Sequence, residues 1–257
     1  MKLSRPRILL LSVVFMLMNL GGLIAQAQQK PNPPASTKLL NYGATLDFNS
    51  RYVWRGIPFS QGAVLQPTAW LEVGHFHFDV WGNILLQDSP DSKNLNEIDL
   101  NSLYRFRYRW LDIEPALRFY FFPNQTTATT GEVALRLKGH AGPVEIFTDQ
   151  TFGFLDISNR YYGDVGIGYL RTLEVWALME TSLSLGWGNS RYNQANIGVS
   201  KAAFEAVTVS LAFTFFPEKF FFVRPHFDLS IMLDPELRSQ LDDATVAVVG
   251  LGLGVKF

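Results

Sequence analysis

The chain has 257 residues, with 22 Lys and Arg against 23 Asp and Glu, and no cysteine. The lack of cysteine excludes disulfides, thiolate metal sites, a cysteine nucleophile and lipoprotein acylation. The balanced charge offers no basic surplus to attract nucleic acid, so no nucleic-acid partner is expected. After residue 27 no run of 18 apolar residues occurs, so helical membrane spans are not expected there.

The first 27 residues are typical of a cleaved export signal. Three basic residues open it, an almost unbroken apolar run spans Ile8–Leu20, and Ala25-Gln26-Ala27 is a small-x-small cleavage site. The alternative is a membrane anchor, but a polar, proline-rich stretch follows at once, without a basic stop-transfer cluster. We predict a signal peptide over residues 1–27, a short periplasmic segment over 28–38 and one domain over 39–257. The mature chain would carry 19 Lys and Arg against 23 Asp and Glu, a net charge of −4.

Leu40–Trp54 shows a period of two. Apolar and aromatic side chains fill its even positions, and polar, charged and small residues fill the odd ones. This pattern predicts a β-strand. Its length exceeds that of most globular strands but suits a tilted strand that crosses a membrane. On this interpretation Tyr52, Trp54, Tyr104 and Tyr108 belong to aromatic girdles at the membrane interfaces.

The same alternation recurs to the end of the chain. It is clear in the segments Glu97–Arg109, Asp112–Phe121, Glu132–Lys138, Val207–Phe215, Val223–Ile231 and Ala247–Phe257. It is weaker in Ala63–Gly74, Phe76–Leu86, Val144–Thr151, Tyr162–Leu170, Leu173–Trp187 and Asn196–Lys201. With the first strand this makes thirteen candidates, whereas a barrel with both ends on one side needs an even number. We predict an all-β fold, a single antiparallel transmembrane β-barrel of 12 strands, with 14 as the alternative.

Connection lengths separate a membrane barrel from a soluble sandwich. Tight turns are expected at Val73–His75, Arg109–Leu111, Gly139–Gly142 and Arg171-Thr172. Between them lie the longer polar links Gly56–Gly62, Gln87–Asn96, Pro123–Gly131, Phe152–Tyr161 and Gly188–Gln194. Short periplasmic turns that alternate with longer outer loops are typical of outer-membrane barrels, and a sandwich has no reason to keep that order.

The final strand ends on Phe257, with apolar residues at every second position before it. This ending resembles the C-terminal signature that the outer-membrane barrel assembly machinery recognises. That machinery and outer-membrane lipid are therefore the expected partners, with small solutes as a third.

Several short segments resemble the TorF porin family. They are Ser50–Ile57 with Gln61 and Gln66, Val80–Asn83, Glu97–Leu100, Phe119–Pro123 and Val199–Lys201. Each is weak alone, and their order and spacing over Asn41 to about Phe216 carry the match. The resemblance implies a barrel of about a dozen strands with a pore function and no catalytic residues. The chain departs from the family after Phe216, where Phe220–Met232 is predicted to be an extra strand followed by the polar stretch Asp234–Asp243.

Many charged residues fall on the phase opposite to the apolar face. The predicted lumen-lining set is Asp47, Arg51, Arg55, Asp79, Glu97, Asp99, Arg105, Arg107, Glu114, Arg118, Glu132, Arg136, Arg224, His226 and Asp228. One hypothesis is a narrow aqueous channel whose charged wall filters small solutes. The alternative is a closed structural barrel plugged by mutually paired side chains.

A barrel-wall enzyme of the lipase or protease type is the rival function. It would need a nucleophile, a histidine base and a residue to orient that base. The chain has four histidines, and only His226 and Asp228 form a pair on one predicted face. No serine motif completes a triad and no spacing indicates a metal site, so we predict no enzymatic activity, cofactor, metal or catalytic residue.

Overall fold

The computed structural model describes residues 40–86, 95–155 and 159–257; the predicted signal and periplasmic segment lie outside these ranges. Here the chain folds into a closed antiparallel barrel of twelve wall strands, as predicted. β2 and β3 form a separate hairpin, and β7 continues β6 beyond a break at Arg105. The strands are β1 (Leu40–Asn49), β2 (Val53–Trp54), β3 (Ile57–Pro58), β4 (Val64–Val73), β5 (Phe76–Leu85), β6 (Leu95–Tyr104), β7 (Phe106–Tyr108), β8 (Leu111–Phe121), β9 (Thr130–Ala141), β10 (Val144–Gly153), β11 (Tyr161–Glu174), β12 (Ala177–Gly188), β13 (Ala203–Phe215), β14 (Phe221–Met232) and β15 (Thr245–Lys256).

Each wall strand pairs with its neighbours in sequence, and the ring closes where β1 pairs with β15. At that seam Leu46 lies opposite Leu253 and Asp47 lies opposite Gly252. The apolar residues of both strands are exposed on the outer face, while the glycine and polar positions face inward. The ring of Phe257 stacks on Tyr42 at 5.4 Å and on Phe220 at 5.9 Å, so the last residue covers the seam.

The barrel has a turn end and a loop end. At the turn end, wall strands are joined by the two-residue turns Gly74-His75, Arg109-Trp110, Gly142-Pro143 and Val175-Trp176, and by residues 216–220. At the loop end they are joined by residues 50–63, 122–129, 189–202 and 233–244; the connections from β5 to β6 and from β10 to β11 lie only partly within the described residues. The alternation of short and long connections therefore agrees with the sequence-based expectation.

Two predicted elements are wrong. Asn196–Lys201 is not a strand: helix α1 occupies Ser190–Asn196, and the Asn189 side chain caps it by accepting a hydrogen bond from the Tyr192 N–H at 2.9 Å. Without this candidate, the number of predicted strands is even, as a barrel with both ends on one side requires. The predicted turn at Arg171-Thr172 lies instead at Val175-Trp176, because β11 continues to Glu174 through a bulge against β12.

A small apolar core fills part of the loop end. It consists of Ile57, Tyr162, Tyr192, Val199, Met232 and Leu237. Leu237 belongs to helix α2 (Pro235–Arg238), which Asp234 caps through the backbone N–H groups of Glu236 and Leu237. No helix in the described ranges is long and apolar enough to span a membrane.

The girdle prediction fails for Tyr52 and Trp54. β1 ends at Asn49, so the period of two does not continue to Trp54, and the following chain folds inward. Tyr52 is 7% exposed and Trp54 packs against the loop-end core. Tyr104 and Tyr108, in contrast, are exposed on the outer face, at 37% and 55%.

Candidate functional site

The β2–β3 hairpin reaches across the barrel interior. Its tip, Arg55-Gly56, has left-handed backbone geometry, with φ of 53° and 82°. A Cβ at Gly56 would lie 2.3 Å from the Ala206 Cβ on β13, so only glycine allows this close approach. Because the hairpin begins beside β1 and contacts β13, it narrows the interior at the loop end.

Arg55 fixes the hairpin to the far wall. Its guanidinium donates two hydrogen bonds to Glu132 of β9, at 2.9 and 2.7 Å. The same group lies 4.2 Å from the centroid of the Trp54 ring and 4.3 Å from that of Tyr162. Both ionic partners are about one-tenth exposed, and a bidentate pair shielded from water in this way is strongly directional. Arg55 therefore holds the hairpin inside the barrel, against the wall strand β9.

Ion pairs cover the wall formed by β6 to β10. Asp149 accepts hydrogen bonds from Arg118 at 2.6 Å and from Arg136 at 2.8 Å. Glu114 pairs with Arg105 at 2.8 Å and with Lys138 at 3.0 Å. The carboxylates are 3–5% exposed in their side chains, whereas Arg105 and Arg136 are close to half exposed. This wall thus buries its negative charge and presents positive charge to the interior.

Amide side chains cover the wall from β14 through β1 to β6. Asn49 donates to Gln66 at 2.8 Å, Gln66 donates to Asn83 at 2.9 Å, and Asn83 donates to Asn96 at 2.7 Å. His226 of β14 reaches the Asn49 Oδ1 at 2.8 Å across the bare backbone of Gly250. This continuous row of amide hydrogen bonds satisfies the buried polar groups without adding net charge.

Two interior cavities stand out among the described residues. The loop-end cavity, of about 960 Å³, is lined by aromatic, amide and charged side chains, among them Trp54, Phe59, Tyr120, Glu97 and Glu132. The turn-end cavity, of about 560 Å³, is lined by Asp47, Asp228, Glu180, Arg224 and His226 together with glycine, serine and alanine. No residue lines both cavities. The hairpin lines only the loop-end cavity.

The predicted lumen residues are distributed over these features. Asp47, Arg224, His226 and Asp228 line the turn-end cavity, and Glu97 and Glu132 line the loop-end cavity. The ion-pair wall holds Arg105, Arg107, Glu114, Arg118 and Arg136. Arg51 pairs with Asp243 of the last loop at 2.8 Å, and Asp79 lies 3.2 Å from His77. Asp99 lies in β6, opposite Trp81 of β5 and Tyr120 of β8.

Sequence reasoning missed four buried groups at the loop end. They are Tyr162, Tyr192, Asn193 and Glu205. Burial raises the pKa of the Tyr192 phenol well above its ordinary value, so this group stays protonated. Tyr162 lies in a wall strand where a period-two reading could have placed it inside. Glu205 lies on the same alternating phase as the outward Val207 and Val209, and a register shift between β12 and β13 turns it inward. Tyr192 and Asn193 depend on helix α1.

The His226 and Asp228 pair does not form a catalytic arrangement. His226 contacts Asn49 and the Arg224 carbonyl oxygen, and no hydrogen bond or ion pair joins it to Asp228. Among the described residues, no group of three or more His, Asp and Glu is arranged to hold a metal ion.

Comparison with known proteins gave no matching family model and no matching curated protein. Solved structures do match. The NanC porin is 11% identical with a TM-score of 0.55, over 84% of this chain and 98% of that one. The COG4313 outer membrane channel from Pseudomonas putida F1 is 9% identical with a TM-score of 0.52, over 89% and 100%. The chain has the fold of an outer-membrane porin. At this sequence identity, the similarity to the two solved structures shows the fold alone. No family model supports the narrower resemblance to the TorF porin family.

Proposed function

We propose that this barrel is a narrow passive channel for small solutes in the bacterial outer membrane, without enzymatic activity. The observation that carries the proposal is the contrast between its faces. Exposed apolar side chains cover the outside, and charged and amide side chains line two interior cavities. An outward apolar band suits lipid, and a polar interior suits water and hydrophilic solutes. The inward hairpin makes the path narrow.

Export and assembly complete the proposal. The mature chain is proposed to begin at Gln28 after signal cleavage and to fractionate with the outer membrane. Its assembly partner is the machinery that recognises the C-terminal strand.

A closed structural barrel is the second candidate. The observation that favours it is the separation of the two cavities, which share no lining residue. Solutes would then pass only if the hairpin or the long side chains around it move.

Single-channel recording tests the proposal directly. Mature protein refolded into a planar bilayer should produce discrete conductance steps, because a polar interior of this kind holds water. Heat-denatured protein from the same preparation is the control. A flat trace from protein that is folded by circular dichroism would contradict the channel and support the closed barrel.

A terminal deletion tests the assembly partner. Removal of Phe257 should lower the yield of folded barrel in the outer membrane, because the C-terminal signature and the ring contacts at the seam are lost together. Deletion of Gln240, an exposed loop residue, should have little effect. Heat-modifiable mobility in gel electrophoresis of membrane fractions measures the yield. Equal yields would count against Phe257 as part of the signal.

A further inference from the structure

Four buried oxygen atoms at the loop end have no hydrogen-bond partner. They are both carboxylate oxygens of Glu205, the Asn193 Oδ1 and the Tyr192 hydroxyl. Glu205 and Asn193 are 0% exposed and Tyr192 is 1% exposed. Buried polar atoms in proteins are nearly always satisfied, so a group of four in one place points to a ligand.

Two of these oxygens lie beside Gly188. A Cβ at this position would lie 2.0 Å from the Glu205 Oε1 and 2.8 Å from the Asn193 Oδ1. These two oxygens are therefore at most 4.8 Å apart, the sum of the two distances. The Tyr192 ring borders the same point, with its Cδ1 atom at 2.7 Å. A single ion with metal–oxygen distances of about 2.3–2.6 Å can contact oxygens separated by this much.

Among the described residues, Glu205 has no basic side chain in direct contact, and no Lys, Arg or His forms an ion pair with it. Arg55, which lies over the Tyr192 ring at 5.6 Å, is held by both oxygens of Glu132. Lys201, on the same loop as Asn193, binds Asp234 at 2.7 Å. A buried carboxylate without a counter-charge is strongly unfavourable, which calls for a cation.

We propose that Glu205 and Asn193, beside the Tyr192 ring, form a binding site for a hard, oxygen-seeking cation of the Ca²⁺ class. The donors are carboxylate and amide oxygens, with no nitrogen or sulfur, and this set selects Ca²⁺ over zinc or copper. A proton on Glu205 would satisfy one carboxylate oxygen and one acceptor and leave the others unpaired. With one carboxylate the affinity should be weak, on the order of 10⁻⁴–10⁻³ M.

The site connects the wall to the loop end. Glu205 lies in β13, whereas Asn193 and Tyr192 belong to helix α1. A bound cation would hold helix α1 against the barrel wall, directly beside Arg55 of the hairpin. Binding should therefore stabilise the loop end whether or not the barrel conducts, so the site can be tested apart from the proposed channel.

The experiment uses refolded mature barrel stripped with EDTA. Tb³⁺ should bind saturably, with luminescence sensitised by Tyr192, and Ca²⁺ should compete with it and raise the melting temperature. Glu205→Gln should weaken Tb³⁺ binding at least roughly tenfold and remove the Ca²⁺-dependent shift, because the only carboxylate is lost. Glu236→Gln, at a glutamate 59% exposed in its side chain, is the matched control and should bind like the parent.

A second variant keeps the site testable if Glu205→Gln does not fold. Gly188→Ala keeps every ligand but places a methyl group between them, and it should also abolish the Ca²⁺ shift. Folded parent protein that shows no saturable Tb³⁺ or Ca²⁺ binding at millimolar concentrations would overturn the site. Equal binding by the parent and the folded Glu205→Gln variant would overturn it too. A melting temperature that ignores Ca²⁺ and falls as pH rises would assign a proton to Glu205 instead.

Discussion

Replacing the hairpin residues Val53–Pro58 by Gly-Ser should raise the single-channel conductance by at least roughly twofold, because conductance is limited by the narrowest part of a pore. The variant should also carry Glu132→Gln. Without Arg55 the Glu132 carboxylate would keep the Tyr120 hydroxyl at 2.9 Å but only the more distant Arg118 guanidinium, at 3.9 Å, as a counter-charge. Loss of a buried ion-pair partner costs about 3–5 kcal/mol, and the neutral amide removes that charge. Because the hairpin also carries Trp54 and Ile57 of the loop-end core, circular dichroism must first show that the variant is folded.

The matched control changes a loop residue that lines neither cavity. Deletion of Gln240, which is exposed at the loop end, should leave conductance close to that of the parent. Planar-bilayer recordings under identical salt compare the three proteins. An unchanged step size in the folded hairpin variant would mean that the constriction lies elsewhere. A folded hairpin-free barrel that passes no current would support the closed structural barrel.

The wall of the barrel could be predicted from sequence because its chemistry is local. Each strand alternates between lipid-facing and interior positions, so the side chains of Leu46 and Asp47 already indicate opposite faces. The even-count rule left 12 and 14 strands open, and the structure has the 12 that remain once the Asn196–Lys201 candidate is removed. The Asn196–Lys201 candidate failed because the Asn189 cap turns the preceding residues into a helix, and this signal competes with the alternation of apolar residues.

The interior could not be predicted in the same way. Strand phase indicates that Arg55 and Glu132 avoid the outer face, but only the folded loop brings them together across 77 residues. Gly56, directly after Arg55, was the available sequence signal of a tight turn there. Glu205 shows the same limit, because its unpartnered oxygens become apparent only when α1 packs beside β12.

Neutralising Arg105 and Arg107 together should shift the selectivity of the pore toward cations. Their side chains are 45% and 56% exposed, while their partners Glu114 and Asp112 are 3% and 6% exposed. The positive member of each pair therefore faces the interior and the negative member lies behind it. Removal of two guanidinium charges would leave the field of the carboxylates less compensated, which favours cations along the wall.

Folding should survive this change because each carboxylate keeps another partner. Glu114 also binds Lys138, at 3.0 Å, and Asp112 lies 3.1 Å from the His140 Nε2. Substitution by glutamine retains hydrogen-bond donors at both positions. The exposure of the arginine side chains also means that solvent screens these pairs, so little stability depends on them.

Reversal potentials in a salt gradient measure the effect. The variant with Arg105→Gln and Arg107→Gln should show a reversal potential displaced toward that of the cation, relative to the parent. Arg109→Gln is the matched control. Arg109 lies in the turn at the same end of the barrel, and its guanidinium is 5.3 Å from the ring of the outward-facing Tyr108. Its loss should therefore not change selectivity.

An unchanged reversal potential in a folded, conducting double variant would mean that ions do not pass this wall. The path would then follow the opposite wall, where Asp47 and Asp228 line the turn-end cavity among glycine and serine residues.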